Sequence, residues 1–435
     1  MSHNNNKQNP LLLAGSNLFC FFALLDPSNN IVGVKIPTFI LFVLGLFCQG
    51  NPKAISLKIL ACLLLINIVS VGCGMLSGLT FDLDFSKQYL FFFITLFCIS
   101  FAKDIDVFKP ILITCFCLSI FTIFGFIVMS MYPEIETIIY TFMHNDYNDV
   151  VLMSHRTFLG VDFVSFCHKS LLVVAFPASL YYYKFLTQDH HKMKNIILSC
   201  IFMFALFCGG NRSMLIGVFF ILFILTYPHV KHYYFIKPLI IFLGLVGIMI
   251  VFMALSEKGE SSNDVKFDHL TSYLNYFSNN WHLILFGSGA GSFFYSKGFS
   301  GMTVLTEWTY IEIIRMYGLV GLMLFLWLII YPLTDYKWKL KRIKYWEPIS
   351  LGYVVILIIS GSNPYLMNST GMICIVFIYS YVYNKTYRTN RMLFNRKCLA
   401  VYYLMNSYSN GHIPTLKQFK LSPEQLKSSL HNIND

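Results

Sequence analysis

The residues best suited to chemistry are a few ionisable groups set between long apolar runs. Arg212 sits in CGGNRSMLIGVFF (208–220), in a two-to-four-residue turn joining two such runs. A guanidinium near a membrane is costly without a partner. It can grip a phosphate through two parallel hydrogen bonds, or snorkel to lipid headgroups and helix-end carbonyls. His155 and Arg156 adjoin one another in YPEIETIIYTFMHNDYNDVVLMSHRTFLG (132–160). A histidine can act as a base near neutral pH, and Arg156 offers a second phosphate contact; an ordinary solvated pair is the plainer reading. His168 and Lys169 follow at a helix edge, where anchoring suits them better than catalysis.

The third group lies in TEWTYIEIIRMYGLVGLM (306–323). On a helix, Glu312 and Arg315 stand about 60° apart, and Glu307 and Arg315 about 80° apart. Arg315 then falls between two carboxylates at the mouth of an apolar helix. Ionisable groups in such places are functional candidates and should face the protein interior; a self-neutralising structural ion pair is the alternative. GSGAGSFF (287–294) lacks the lysine and the strand–helix context of a nucleotide loop. Its glycines fit a tight turn where backbone approaches a ligand or a neighbouring helix. DYND (146–149) has too few carboxylates for a calcium loop. The twelve cysteines show no CxxC spacing, which supports neither a disulfide framework nor a zinc site. No metal or cofactor is expected.

The elements that must position these residues are membrane helices. Hydrophobic residues make up 56% of the chain and charged ones 12%, against about 25% charged in a soluble domain. Abundant Phe (43) and Tyr (27) suit lipid-facing helices and interfacial belts. With roughly 20 apolar residues needed per span, runs near 11–25, 31–48, 59–78, 89–102, 110–131, 166–185, 195–209, 213–227, 238–255, 309–330, 349–362 and 366–383 predict an all-α polytopic protein of about twelve transmembrane helices. The first run, after MSHNNNKQNP, reads as a retained helix.

The net charge of +11 resides in short basic segments such as KWKLKRIK (337–344), a pattern of membrane topology rather than of nucleic-acid binding. Both termini inside puts 23 of the 32 Lys and Arg residues on the cytoplasmic side. Two long outer segments remain, 132–165 and 256–308, with aromatics and leucines spaced as in short amphipathic helices on the membrane surface. The expected organisation is a transmembrane domain, 1–384, with a basic cytoplasmic tail, 385–435. No broken pair of helices marks a transporter.

The order of three motifs carries a family resemblance: GGNRSMLIG opening an apolar helix, then LFGSGAGSF in the long loop, then TEWTYIEIIRMYGLVGLMLFL. It resembles the carboxy-terminal half of bacterial Wzy-type O-antigen polymerases and the related O-antigen ligases, over roughly 200–330 by motif and over the whole chain by topology. The resemblance implies a GT-C-like, metal-independent glycosyltransferase of the bacterial inner membrane. Its substrates would be undecaprenyl-diphosphate-linked oligosaccharide repeat units, joined at the periplasmic face for lipopolysaccharide O-antigen. Membrane lipids and a chain-length regulator protein are the implied partners. Arg212 falls where the best matched family arginine holds the diphosphate donor. Ligases place a histidine in the segment reading VLTEWTYIEI; Glu307 stands here instead, which favours polymerase over ligase. On this reading Arg156, Arg212 and Arg315 bind the diphosphate while Glu307 or His155 activates the acceptor hydroxyl. A ligase, and more distantly a polysaccharide flippase, are the alternatives.

Overall fold

A computed structural model describes residues 9–28, 33–49, 54–86, 98–102, 105–145, 150–158, 161–230, 244, 261–339 and 347–385. The chain divides into units 1–382 and 383–435, and of the second only 383–385 are described. The expected spans at 89–102 and 238–255 lie largely outside the described residues, as does the tail after 385.

The described chain is mostly helical. In chain order, the helices are α1 (Pro10–Leu25), α2 (Lys35–Gln49), α3 (Ala54–Leu76), α4 (Phe108–Met131) and α5 (Pro133–Asn145). There follow α6 (Ala175–Thr187), α7 (Lys192–Cys208), α8 (Arg212–Val230), α9 (Ser261–Asn279), α10 (Thr309–Lys339) and α11 (Pro348–Ile359). A last helix, α12, begins at 369 and is described as far as 385. Among the described residues, three helices are long and apolar enough to cross a membrane: Phe108–Met131, Arg212–His229 and Thr309–Thr334. Shorter apolar helices lie at Pro10–Leu25, Lys35–Cys48, Ala61–Leu76, Leu171–Thr187 and Pro348–Ile359.

The helices pack where small residues let backbones meet. A Cβ on Gly15 would press on the backbone of Phe42, and one on Gly45 on that of Leu12, so α1 and α2 form a tight hairpin. The run Leu171–Val174 leading into α6 is fully buried in the core, and α11 lies against α6. Ser179 donates to Pro348 O (2.7 Å), tying α6 to the start of α11. Pro348 is at the first turn of α11, and Glu347 caps it by accepting from Ser350 N at 3.0 Å.

The all-α expectation is corrected in the two long connections. The first holds α5 and then an antiparallel hairpin, β1 (Val151–Phe158) with β2 (Val161–His168), in which Ser154 faces Ser165 and His155 faces Val164. The run expected as a helix from 166 therefore begins as strand. Its β-branched and aromatic residues (VDFVSFCH) fit a pleated, half-buried surface. The second holds α9 and a short hairpin, β3 (Phe294–Ser296) with β4 (Gly301–Thr303). These hairpins, rather than surface helices alone, set the geometry of the loops.

Candidate functional site

α10 is broken near its start. Gly318 has φ 70° and ψ −176°, a region open essentially to glycine alone. A Cβ there would overlap Leu285 O. The backbone groups freed by the break are taken up by the glycine-rich loop: Ser288 N donates to Arg315 O (2.8 Å) and Gly289 N to Met316 O (2.9 Å). In return Leu319 N donates to Ile284 O (2.9 Å) and Val320 N to Leu285 O (3.3 Å). The glycines of GSGAGSFF thus serve approach to a neighbouring helix.

Above the break, Glu312 and Arg315 form an ion pair, Arg315 Nε to Glu312 Oε2 at 2.8 Å, with both side chains 0% exposed. The remaining guanidinium donors reach Ser292 O (3.0 Å), Ser292 Oγ (2.8 Å) and Val304 O (2.6 Å). The Phe294 ring lies 4.4 Å from the guanidinium carbon, a cation–π contact. On the carboxylate side, Oε1 accepts from Tyr273 OH (2.5 Å) and Thr306 N (2.8 Å). Burial pushes the Tyr273 phenol well above its usual range and the Glu312 carboxylate pushes it further, so it remains a proton donor. Four segments, α9, the glycine loop, the end of β4 and α10, are locked around one buried charge pair.

This corrects two expectations. Arg315 and Glu312 do share one helix face, but every named partner of Arg315 is internal, so holding a diphosphate would require opening the network. Glu307 precedes the first helical residue, Thr309, so its position is not set by helical angle. It is a half-exposed carboxylate paired with Lys266 of α9, Nζ to Oε2 at 3.3 Å. Trp308 Nε1 donates to Lys266 O (3.2 Å), which holds the Glu307 turn against α9.

A second polar cluster joins this turn to Arg212. Helix α7 ends in the left-handed Gly210 (φ 62°), and a Cβ there would press on the Ser165 side chain of β2. Asn211 then accepts from Ser213 N (3.0 Å) and Ser213 Oγ (2.7 Å), starting α8 with Arg212 as its first residue. Asn211 Nδ2 donates to Asn363 Oδ1 (3.2 Å), and Asn363 Nδ2 donates to Ser213 Oγ (3.2 Å). Thr309 Oγ1 donates to Asn363 O (2.7 Å). Arg212 and Glu307 accordingly stand one and two residues from groups that grip Asn363, the first through its side-chain amide and the second through its backbone carbonyl. Arg212 is half-buried.

His155 is placed elsewhere. Ser154 and Ser165 meet (Oγ–Oγ 2.8 Å) on the hairpin face toward Gly210. Alternation along a strand turns His155 to the other face, where Nε2 lies 2.8 Å from Glu136 Oε1 of α5 and the side chain is 77% exposed. It is separated from the Arg212 turn, which removes the geometric ground for joining it to that site. Arg156 is described in its backbone, paired with Phe163. His168 is structural. Its Nδ1 accepts from Ser170 N (3.0 Å), which leaves Nε2 to donate to Leu25 O (3.1 Å) at the end of α1. Burial pushes its pKa down to about 4, partly countered by the Leu25 bond and Asp26.

Tyr273, Ser292, Lys266, Asn211, Thr309 and Asn363 escaped the sequence reading. Two of them left signals: Asn211, an Asn directly before an apolar run, and Asn363, in the Ser-Asn-Pro turn between two apolar runs. Among the described residues, no group of three or more His, Cys, Asp or Glu could hold a metal ion. Compared with known protein families, curated proteins and solved structures, the chain matches none.

Proposed function

We propose that this chain is a polytopic inner-membrane glycosyltransferase of the O-antigen polymerase type, with about twelve spans and both termini cytoplasmic. On this reading it joins undecaprenyl-diphosphate-linked oligosaccharide repeat units at the periplasmic face. The observation that carries the reading is convergence. The three segments on which the resemblance rests meet in space, the Arg212 turn through Asn363 at the start of α10, and the glycine loop through the break in that same helix.

Such a site has the parts that the reaction needs. Cleaving the bond between anomeric carbon and phosphate leaves negative charge on a diphosphate, which a fixed guanidinium stabilises. Arg212, at a turn braced by Asn211 and Ser213, supplies that group, with Arg156 as a second contact. The acceptor hydroxyl attacks the anomeric carbon and gives its proton to a carboxylate, for which Glu307 is available at the α9 edge. Arg315 is reassigned from donor binding to holding the loop that presents Glu307. His155 has no part in this scheme.

Purified protein in lipid nanodiscs, supplied with lipid-linked repeat units, should build a ladder of longer lipid-linked chains. Arg212→Ala and Glu307→Gln should each lower turnover by about 100-fold or more, the range for loss of a charge-stabilising donor or a general base, with melting unchanged. Near-normal turnover of Arg212→Ala would remove the donor-binding role. Transfer to lipid A core in place of lengthening would make the chain a ligase.

A further inference from the structure

From His269 to Ser296 the chain contains no Asp, Glu, Lys or Arg, although it lies in what reads as a loop between spans. Within this stretch Trp281 is 75% exposed, and Leu274, Leu285 and Phe286 are exposed as well. His282 Nε2 lies 3.0 Å from Ser77 Oγ, which sets Trp281 beside the end of α3, where Met75 is exposed and Leu76 is 92% exposed. Large apolar side chains exposed on both of these neighbouring segments, with exposed Asn279 and His282 between them, mark an interaction site.

Three observations identify what covers it. First, the backbone of Ile284 and Leu285 is bonded to Leu319 and Val320, so the patch runs on into the exposed stripe Leu319, Met323, Trp327 and Ile330. That stripe lies on the outward side of a helix apolar enough to cross a membrane. Second, depth: the candidate span ends at Thr334, with Asp335 and Lys337 following. Counting back roughly 20 residues for a hydrocarbon core of about 30 Å puts the far boundary near Arg315, beyond Gly318 and the loop residues bonded to it. Third, non-helical backbone is tolerated at membrane depth only when the protein satisfies it, and here it is satisfied. The carbonyls of Ile284 and Leu285 accept from Leu319 and Val320, that of Phe286 from Ser70 Oγ, and that of Ala290 from Ser86 Oγ (2.8 Å). Gly287 N donates to Leu283 O (2.7 Å), and Ser288 N and Gly289 N are bound to α10.

We infer that residues 281–289 form a re-entrant segment seated in the acyl-chain region of the bilayer, with Trp281, Leu285 and Phe286 in contact with lipid tails. The inference stands on the uncharged run and the helix break, not on the glycosyltransferase reading.

Trp281 is its own probe. Full-length protein is reconstituted into phosphatidylcholine vesicles whose acyl chains carry bromine, and tryptophan emission is compared with that in unbrominated vesicles. The measurement is repeated with iodide in the water. A variant retaining only Trp281, with the other four tryptophans changed to Phe, should be quenched by bromolipid comparably to one retaining only Trp327, several-fold more than one retaining only Trp308, and weakly by iodide. Should those variants misfold, Trp281→Phe in the otherwise native chain should remove a bromolipid-quenched component of the emission. Quenching of Trp281 by iodide without quenching by bromolipid would place the segment in water and overturn the inference. Quenching by neither would mean a protein surface covers the patch, which overturns it equally.

Discussion

The buried Glu312–Arg315 pair makes a quantitative demand on stability. Replacing Glu312 by Gln keeps the shape and removes the charge. Oε1 of the carboxylate accepts from Tyr273 OH and Thr306 N, and Oε2 accepts from Arg315 Nε. A glutamine amide must turn its NH2 toward one side. Toward Arg315 it opposes an N–H donor and leaves a cation uncompensated at 0% exposure; toward Thr306 it opposes a backbone N–H. Removing one partner of a buried pair costs about 3–5 kcal/mol, the group left unmatched included, so Glu312→Gln should destabilise by about 3–5 kcal/mol. The double variant Glu312→Gln, Arg315→Met carries no stranded charge and should be more stable than the sum of the single variants implies, with a coupling of about 1–3 kcal/mol. The assay is thermal unfolding in nanodiscs followed by intrinsic fluorescence, for wild type, both single variants and the double variant. Wild-type melting for Glu312→Gln, or strict additivity in the double variant, would refute the view that this pair locks the loop to α10. Arg315→Lys separates the two roles: a structural Arg315 predicts lost stability, whereas a donor-binding Arg315 predicts normal melting with lost turnover.

Other outcomes follow from the same geometry. Gly318→Ala adds strain of about 1–3 kcal/mol and a clash with Leu285 O, so it should reduce the monodisperse fraction on size exclusion. Gly78→Ala, also at positive φ (74°) but with open space around it, should cost only about 1–2 kcal/mol and leave the profile intact. His168, with its pKa lowered from 6.5 to about 4, binds a proton more readily unfolded than folded. Its contribution is complete above pH 6.5 and is lost as pH falls toward 4, up to about 3 kcal/mol. His168→Gln, which can still donate to Leu25 O, should flatten the decline in melting temperature between pH 7 and 4.5. An unchanged slope would show that other groups control acid sensitivity.

The helical part of the fold was legible because apolar run length is a direct signal. The runs at 11–25, 110–131, 213–227 and 349–362 correspond to α1, α4, α8 and α11. The hairpins were not: VLMSHRTF and the start of VDFVSFCH lie in the segment 132–165, whose aromatics and leucines read as short surface helices, and only the last three residues of β2 fall in the apolar run from 166. In the site, the pairing of Glu312 with Arg315 was readable from a spacing of three. What that pair does was not, because Tyr273, Ser292 and Val304 reach it from distant sequence. Glu307 shows the opposite error, since extending helical geometry two residues before Thr309 gave it an angle it does not have. Arg212 was found as a charge out of place, but the bracing Asn363 lies about 150 residues on and only the fold brings the two together.

The repaired break in α10 also has a temporal side. The residues that complete this helix, 284–289, are synthesised before it. By the time Gly318 leaves the ribosome, the acceptors for Leu319 N and Val320 N already exist upstream, and a short tether of hairpin and turn keeps them close. The second half of the helix therefore enters its final place against a prepared edge, whereas a chain lacking 284–289 would carry unmatched backbone groups into the bundle. Order of synthesis, and not only final contact, is written into the position of that glycine loop.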